Sequence, residues 1–340
     1  MTSASGYSIS RWSKSSVIAV GLTLLVCVML CFGPLIFSAN VVDKLTTLFI
    51  YVMLAVTWNA LAGYGGLVSI GQQCFFGLGA YAAVRLADAG VSVYPGLLLA
   101  AIVVAAVAYS FSFFMLKLKE GEFAIGMWVV AELCHLLVNL DSLVQGETGT
   151  SLIALNAYAM ESRRAFTYWA GLASMIGLLL ILFFLLRSKV GTSIQAIRDN
   201  EEAAASVGVR VMETKRIIFV IACFGAALAG ALWLATATTF QPKTYFSVQW
   251  TAYMIFMVLV GGLGTFEGAI LGAIIFFLIE AWFGAWGVWY LVGLGATALS
   301  FALFIPKGLW GLFESKFEVS LLPLGYRVKS PEPLSSKAPN

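Results

Sequence analysis

Ten separate apolar runs constrain this chain more than any other feature: 17–37, 45–62, 67–86, 94–116, 123–140, 166–186, 217–240, 248–262, 265–283 and 286–305. Most approach the roughly 20 residues that an α-helix needs to cross the hydrocarbon core of a bilayer. A water-soluble fold of 340 residues has no interior large enough to hide them. Composition agrees, with 61% hydrophobic and only 11% charged residues and a mean hydropathy of +0.93. The expected fold is all-α, a polytopic membrane helix bundle of about ten spans. Run 17–37 exceeds the roughly 7 to 15 apolar residues of a signal-peptide core, so it counts as the first span. Run 67–86 fits least well, because Ser69, Gln72 and Gln73 stand among glycines. It either crosses or is a re-entrant or broken helix lining a polar path; the count falls to eight if a pair of runs is re-entrant.

Basic residues give the orientation, since loops rich in Lys and Arg stay cytoplasmic. With both termini inside, fifteen of the 20 basic residues face the cytoplasm, six of them in the segment 187–216. Arg163 and Arg164 go against this bias. The chain then divides into a cytoplasmic segment 1–16, a transmembrane region 17–305 and a cytoplasmic tail 306–340. Trp282, Trp286 and Trp289 recur at helical spacing near an outer turn, as belt residues at a membrane interface do. Five cysteines lie in apolar stretches and read as buried thiols with no disulfide framework. A net charge of +3 does not suggest nucleic acid, and little chain is left for an extramembrane enzyme.

The polar segment between Arg187 and Arg216 is long for a connection and needs a reason. Asp199 followed by Glu202 resembles a capping box, the alanines favour helix, and Gly208 suits a left-handed position just past a helix end. These features predict a short helix over 200–207, between a leading segment from Ser193 and a second helix running from Met212 into the seventh span.

The string Glu202-Ala203-Ala204 with Gly208 resembles the short cytoplasmic helix by which ABC-importer permeases dock into their ATPase subunits. Ile218 stands where that pattern has an isoleucine, and Val220 and Ile221 replace its usual Leu-Pro. The segment Trp58–Ala83, with Asn59, Gly63, Tyr64, Gly66, Ser69, Gly71 and Phe75-Phe76-Gly77, is similar to the signature of LivM-type permeases of branched-chain amino acid ABC importers. Phe123-Ala124-Ile125 through Glu132, Asn139 to Ser142, the run from Gly261 to Ala273 and the run from Phe304 to Phe313 resemble further blocks of that family. The resemblance covers roughly 45–315. It departs at His135, where the family commonly has Arg, and at Gln72-Gln73, where it has His-Ala.

That resemblance implies a permease subunit forming half of a translocation pathway in a bacterial inner (plasma) membrane. Its cargo would be branched-chain or other hydrophobic amino acids. The implied partners are a second, LivH-like permease, two ATP-binding cassette subunits and a periplasmic or extracellular substrate-binding protein docking on the outer loop 141–165. The chain would hold no cofactor and have no enzymatic site of its own, with ATP and Mg bound by the ATPase subunits. ATPase coupling would fall to Asp199, Glu202, Ala203, Ala204 and Gly208. The path would use Asn59, Ser69, Gln72, Gln73, Glu132, His135, Thr265 and Glu267.

The residues themselves leave alternatives open. Acids inside a membrane usually face a bundle interior or cavity. Glu132 and His135, three apart on one helical face, either line the route or pair with each other or a neighbouring helix. Glu267 and Glu280 are further intramembrane acids. Gly264, Gly268 and Gly272, spaced by four, would let another backbone approach closely. There is no phosphate-binding loop, no metal-ligand cluster and no visible hydrolytic triad. Besides amino acids, such an importer could carry urea, a short amide or another small carboxylate. A function of a different class, an ion-coupled secondary carrier through Glu132, His135 and Glu267, would not require the long capped loop.

Overall fold

The computed structural model describes residues 8–10, 14–317 and 327–329. Its helices are α1 (Lys14–Cys31), α2 (Ala39–Asn59), α3 (Gln73–Asp88), α4 (Val93–Met115), α5 (Glu120–Asn139) and α6 (Met160–Arg187). They continue with α7 (Lys189–Asp199), α8 (Glu201–Ser206), α9 (Val211–Ala237), α10 (Val248–Gly261), α11 (Phe266–Phe283), α12 (Val288–Phe304) and α13 (Gly308–Phe317). Every apolar run of the sequence becomes a helix. Eight helical spans are long and apolar enough to cross a membrane when α2, α10, α11 and α12 are counted with the turns that adjoin them, as Ala39–Tyr64, Pro242–Gly261, Phe266–Trp286 and Val288–Lys316, while α3 has 16 residues and the apolar part of α1 is likewise short. The chain is a polytopic membrane bundle, and both counts read from the sequence have a physical basis in it.

Run 67–86 is the broken one. Residues 60–64 form a wider, π-helical turn after α2, residues 65–72 are non-helical, and α3 starts only at Gln73. Gly66 has φ +68°, a backbone conformation that ends a helix and favours glycine. Irregular backbone at membrane depth is tolerated only where protein surrounds it, and Ser69 and Gln72 are fully buried.

Burial is very uneven. In the most apolar 18-residue stretch of each span, 83% of the residues are buried for α2 with its π turn and 72% for α9, against only 11% for the span that begins with α12. The centre therefore consists of α2 and α9, with α3, α4 and α11 packed around them. Lipid tails give helices no hydrophobic reason to associate, so close backbone approach and polar contacts must supply it. α3 and α9 cross where Gly79 lies on the Ala227 carbonyl and Gly230 lies on the Phe76 carbonyl. α10 and α11 meet through Gly261 and Met257 on one side and Gly268 and Gly272 on the other. The intramembrane acid Glu280 is satisfied by the Tyr51 hydroxyl, which donates to it across 2.5 Å.

The two ends of the bundle differ. At the basic end lie the turn at 60–66, the close of α4, the segment 187–216 and the turn at 262–265, held by Arg198 to the Gly63 carbonyl and Arg216 to Ser112. At the opposite end Asp43 pairs with Arg164, Arg85 pairs with Asp141, and β2 (Thr150–Ser151) pairs antiparallel with β3 (Thr239–Phe240). Arg164 thus has a carboxylate partner there, which accounts for its tolerance against the charge bias. The strands β1 (Ser8–Ser10) and β4 (Arg327–Lys329) pair with each other and bring the two terminal segments together. Most of 1–16 and of 318–340 lies outside the described residues. Within the expected tail, α13 folds back onto the bundle, where Gly308 (φ +64°) presses on Gly262.

One expectation is corrected. All five cysteines are free, but only Cys74, Cys134 and Cys223 are buried; Cys31 is exposed and Cys27 is partly so. Both sit on α1, which packs along one edge of the bundle and leaves most of its surface outward.

Candidate functional site

The segment 187–216 folds as two short helices. Ser188 caps α7, its hydroxyl accepting from the backbone N–H groups of Val190 and Gly191 at 3.1 and 3.4 Å. α7 was legible only as a leading segment. It is amphipathic, with Gly191, Ile194 and Ile197 buried against the bundle. The expected helix over 200–207 is α8, with its cap one residue later than the sequence signature suggests. Asn200, extended at φ −160°, accepts from the Ala203 N–H at 2.9 Å. Asp199 remains in the last turn of α7 and accepts from its neighbour Arg198.

The far end of α8 closes as the sequence indicates. Val209 N–H donates to the Ala204 carbonyl at 3.1 Å and Gly208 N–H to the Ala205 carbonyl at 3.0 Å. Together these form a Schellman closure around Gly208 at φ +90°. No atom lies within 4 Å of where a Gly208 side chain would begin, so the demand for glycine is set by backbone conformation. Ala204 faces inward, while Glu201, Glu202, Ala203 and Ala205 are exposed and Val207 is 79% exposed. Lys215 ties α8 to α9 through Glu201 at 2.6 Å.

Beside this loop lies the break before α3. The Trp58 indole donates to the Ser69 carbonyl at 3.0 Å, and the Ser69 hydroxyl accepts from Gly71 N–H. Thr251 of α10 donates to the Gln73 side chain at 2.5 Å. Gln72 is fully buried and neither atom of its amide has a hydrogen-bond partner. The Cys223 thiol is its polar neighbour, without the geometry of a hydrogen bond. An unpaired buried amide costs about 1–3 kcal/mol, so its presence here calls for a reason beyond packing.

Asn59 joins the break to the turn before α11. Its amide N–H donates to the Thr265 carbonyl at 2.8 Å, and its oxygen accepts from the Gly264 N–H at 2.8 Å. Gly264 is in this turn at φ +75°, with its backbone against Gly63. Gly268 and Gly272, by contrast, lie within α11 against α10. Glu267 sits in the first turn of α11, within electrostatic reach of Tyr64.

Asn59, Ser69, Gln72, Gln73, Thr265 and Glu267 are thus gathered around one break and the turn beside it. Glu132 and His135 are elsewhere. Gly71 abuts the α5 backbone at Met127, and His135 is two helical turns further along, about 12 Å at 1.5 Å per residue. His135 Nδ1 lies 3.3 Å from Glu132, its Nε2 lies 2.8 Å from Glu147, and its ring stacks on Phe246. The Glu132 side chain is 59% exposed on the outside of α5.

At that opposite end, Glu147 also accepts from Asn139 at 2.6 Å and from the Lys243 backbone N–H at 2.8 Å. Asp141 accepts from Tyr81, the Leu143 N–H and Arg85. Burial pushes both carboxyls up, but the summed hydrogen bonds and positive neighbours outweigh it and hold both below their ordinary values. A cavity of about 320 Å³ opens at the same end among Asp43, Thr46, Thr47, Arg163, Arg164 and Thr167.

Several contacts were not foreseen from the sequence: Arg198 on Gly63, Thr251 on Gln73, Tyr51 on Glu280, and Arg85 on Asp141. Only Arg198 left a signal, as a basic residue in the last turn of an amphipathic helix next to a cap.

Residues 40–306 match a family described as branched-chain amino acid transport system, permease component. LivM, the permease protein of the high-affinity branched-chain amino acid transport system of Escherichia coli K12, is 25% identical over 303 residues, covering 81% of this chain and 71% of its own length. A probable LivM of Methanocaldococcus jannaschii is 26% identical over 167 residues, 48% of each chain. The L-arabinose transport permease AraH of Escherichia coli is 39% identical over 99 residues, 28% of this chain and 30% of its own.

Proposed function

We propose a function on one premise: this chain belongs to the family of permease components of branched-chain amino acid transport systems. It is a multi-pass membrane protein and the transport component of an ABC transporter. Within that class we read it as half of the translocation pathway of an importer for branched-chain or other hydrophobic amino acids, in a bacterial inner membrane. A second, LivH-like permease completes the pathway. Two separate ATP-binding cassette subunits bind and hydrolyse ATP with Mg, and a substrate-binding protein delivers cargo to the opposite end.

The observation that carries this reading is α8. A helix of six residues is far too short to be stable alone, yet this one is capped at its start, closed at its end and tied to α9, with its outward side exposed among the described residues. Such a rigid exposed element suits docking by a partner. Closure of the ATPase pair around ATP would displace α8 and switch access to the pathway between the two ends. The basic end is the cytoplasmic one in this reading. The cavity beside Arg163 and Arg164 and the loop 141–165 supply charged groups where a binding protein would dock.

The test is purification of the tagged chain in mild detergent with identification of what accompanies it. Two ATPases and a second permease are expected. Recovery of the chain alone, with uptake in vesicles that needs no ATP and follows a proton or sodium gradient, would make it a secondary carrier. Cargo is decided by uptake in competition with leucine, isoleucine, valine and urea. The three amino acids should compete, and inhibition by urea alone would reassign the substrate.

A further inference from the structure

We infer that Arg198 is the residue through which displacement of α8 reaches the membrane interior, a positioning residue joining the coupling loop to both chain breaks at the basic end. This rests on the importer reading above.

The break after α2 creates the need for it. Across the π-helical turn, Gly65 N–H donates to Ala60, Gly66 N–H to Ala62 and Leu67 N–H to Leu61. Helix ends leave carbonyls without an intrahelical donor, and Gly63 has such a carbonyl. Arg198 Nη1 supplies the hydrogen bond at 2.9 Å. Its other two nitrogens are engaged by one oxygen of Asp199, Nε at 3.0 Å and Nη2 at 2.8 Å. A planar guanidinium held along one edge has its remaining N–H groups aimed in a fixed direction, which an ammonium on a flexible stem would not have.

The target is a three-way junction. A Cβ on Gly66 would lie 3.1 Å from Arg198 Cγ and 3.3 Å from its Cα, so the α7 backbone itself rests on the break. A Cβ on Gly63 would lie 2.5 Å from Gly264 N, and one on Gly264 would lie 3.4 Å from Arg198 Nη1. Asn59 then fastens Gly264 and Thr265 back to α2. The break leads directly to Ser69 and Gln72, and the turn leads directly to α11. With so little slack between these backbones, α7 cannot shift without moving the break, the turn or both. α8 also reaches the bundle through the buried Ala204 and through the Lys215–Glu201 pair on α9, whose Ile218 lies beside Gly65; Arg198 is the side chain that lies against both the break and the turn at Gly264.

The experiment uses the complete complex in lipid vesicles and reads substrate transported per ATP hydrolysed. Arg198→Ala and Arg198→Gln are expected to lower that ratio at least tenfold. Arg198→Lys, which keeps one charged donor, should stay within about threefold. A merely structural role would lower transport and hydrolysis together and leave the ratio near wild type. An assembled Arg198→Ala complex with a ratio within twofold of wild type overturns the inference. Should that variant fail to assemble, amide hydrogen exchange on the wild-type complex decides: residues 60–72 should change protection at least fivefold between nucleotide-free and ATP-bound states, and no response there overturns it. Wild-type chain that retains no ATPases defeats the importer reading and this inference with it. Retained ATPases with an unchanged ratio defeat the role of Arg198 alone.

Discussion

The two ends of the bundle are held together by different physics. At the opposite end the ties are carboxylates: Asp43 on Arg164, Asp141 on Arg85 and Tyr81, and Glu147 on Asn139, His135 and the Lys243 N–H. Arg164 with Asp43 and Arg85 with Asp141 are ion pairs with at least one partly exposed partner, and such pairs can break and re-form at modest cost. At the basic end the central ties run from side chains to backbone, with Asn59 and Arg198 holding carbonyls and N–H groups where Gly63 and Gly264 meet. That junction tolerates almost no change in shape. The carboxylate ties are therefore sensitive to charge and the Gly63–Gly264 junction to volume, which under the importer reading suits an end that opens and an end that is driven.

Substitutions can break or sharpen this contrast. The largest loss of stability is expected from Gly63→Val, whose side chain would collide with Gly264 and Asn59. Overpacking of this kind costs roughly 3 kcal/mol, and melting in detergent should show it as loss of the folded chain. Next is Gly208→Val, at φ +90° and free of any clash. The strain is about 2 kcal/mol and confined to α8, so the melting temperature should shift little while uptake is lost. Normal uptake would remove α8 from the mechanism.

Asp141→Asn tests the other end. It unpairs Arg85, which is 46% exposed and can turn to water, so about 1 kcal/mol is expected. A drop in substrate carried per ATP, with melting unaffected, would contradict the contrast. Acid tests the same groups. Because Asp141 and Glu147 are held below their ordinary values when folded, their contribution is complete above the unfolded carboxylate range of about 4. It is lost as pH falls through the lower folded values. Melting should therefore show no loss from these two groups between about pH 8 and 5 and decline below about 4. The smallest effect belongs to Glu132→Gln, whose contact with His135 is long and exposed. A change above about 0.5 kcal/mol would show that the pair does more than a surface pair normally does.

How far the sequence foretells this depends on the range of each interaction. The helices were legible because apolar runs report local solvent, and Gly208 was legible because a left-handed residue after a helix is a local demand. The cap of α8 was misplaced by one residue. Arg198 draws Asp199 into the last turn of α7, leaving Asn200 to cap, and two adjacent polar residues carry no label saying which is taken. Run 67–86 was visibly anomalous, yet the resolution into a break and a short helix depends on Trp58, Thr251 and the α5 backbone around Gly71. Asn59 was singled out by resemblance, but its partners are more than 200 residues away in the chain. Nothing local in α2 specifies the turn before α11 as its counterpart.

That separation has a temporal side. α2 is made early, while the residues that receive Asn59 and Tyr51 are 205 and 229 positions downstream. At roughly 5–20 residues per second of synthesis, α2 waits on the order of 10–40 s before either partner exists. During that interval an amide and a phenol that end up on backbone and carboxylate must be accommodated by the insertion machinery, lipid headgroups or provisional neighbours. The most buried helix of the finished protein is thus among the last to be completed, and chains stopped before Gly264 should remain substrates for membrane quality control.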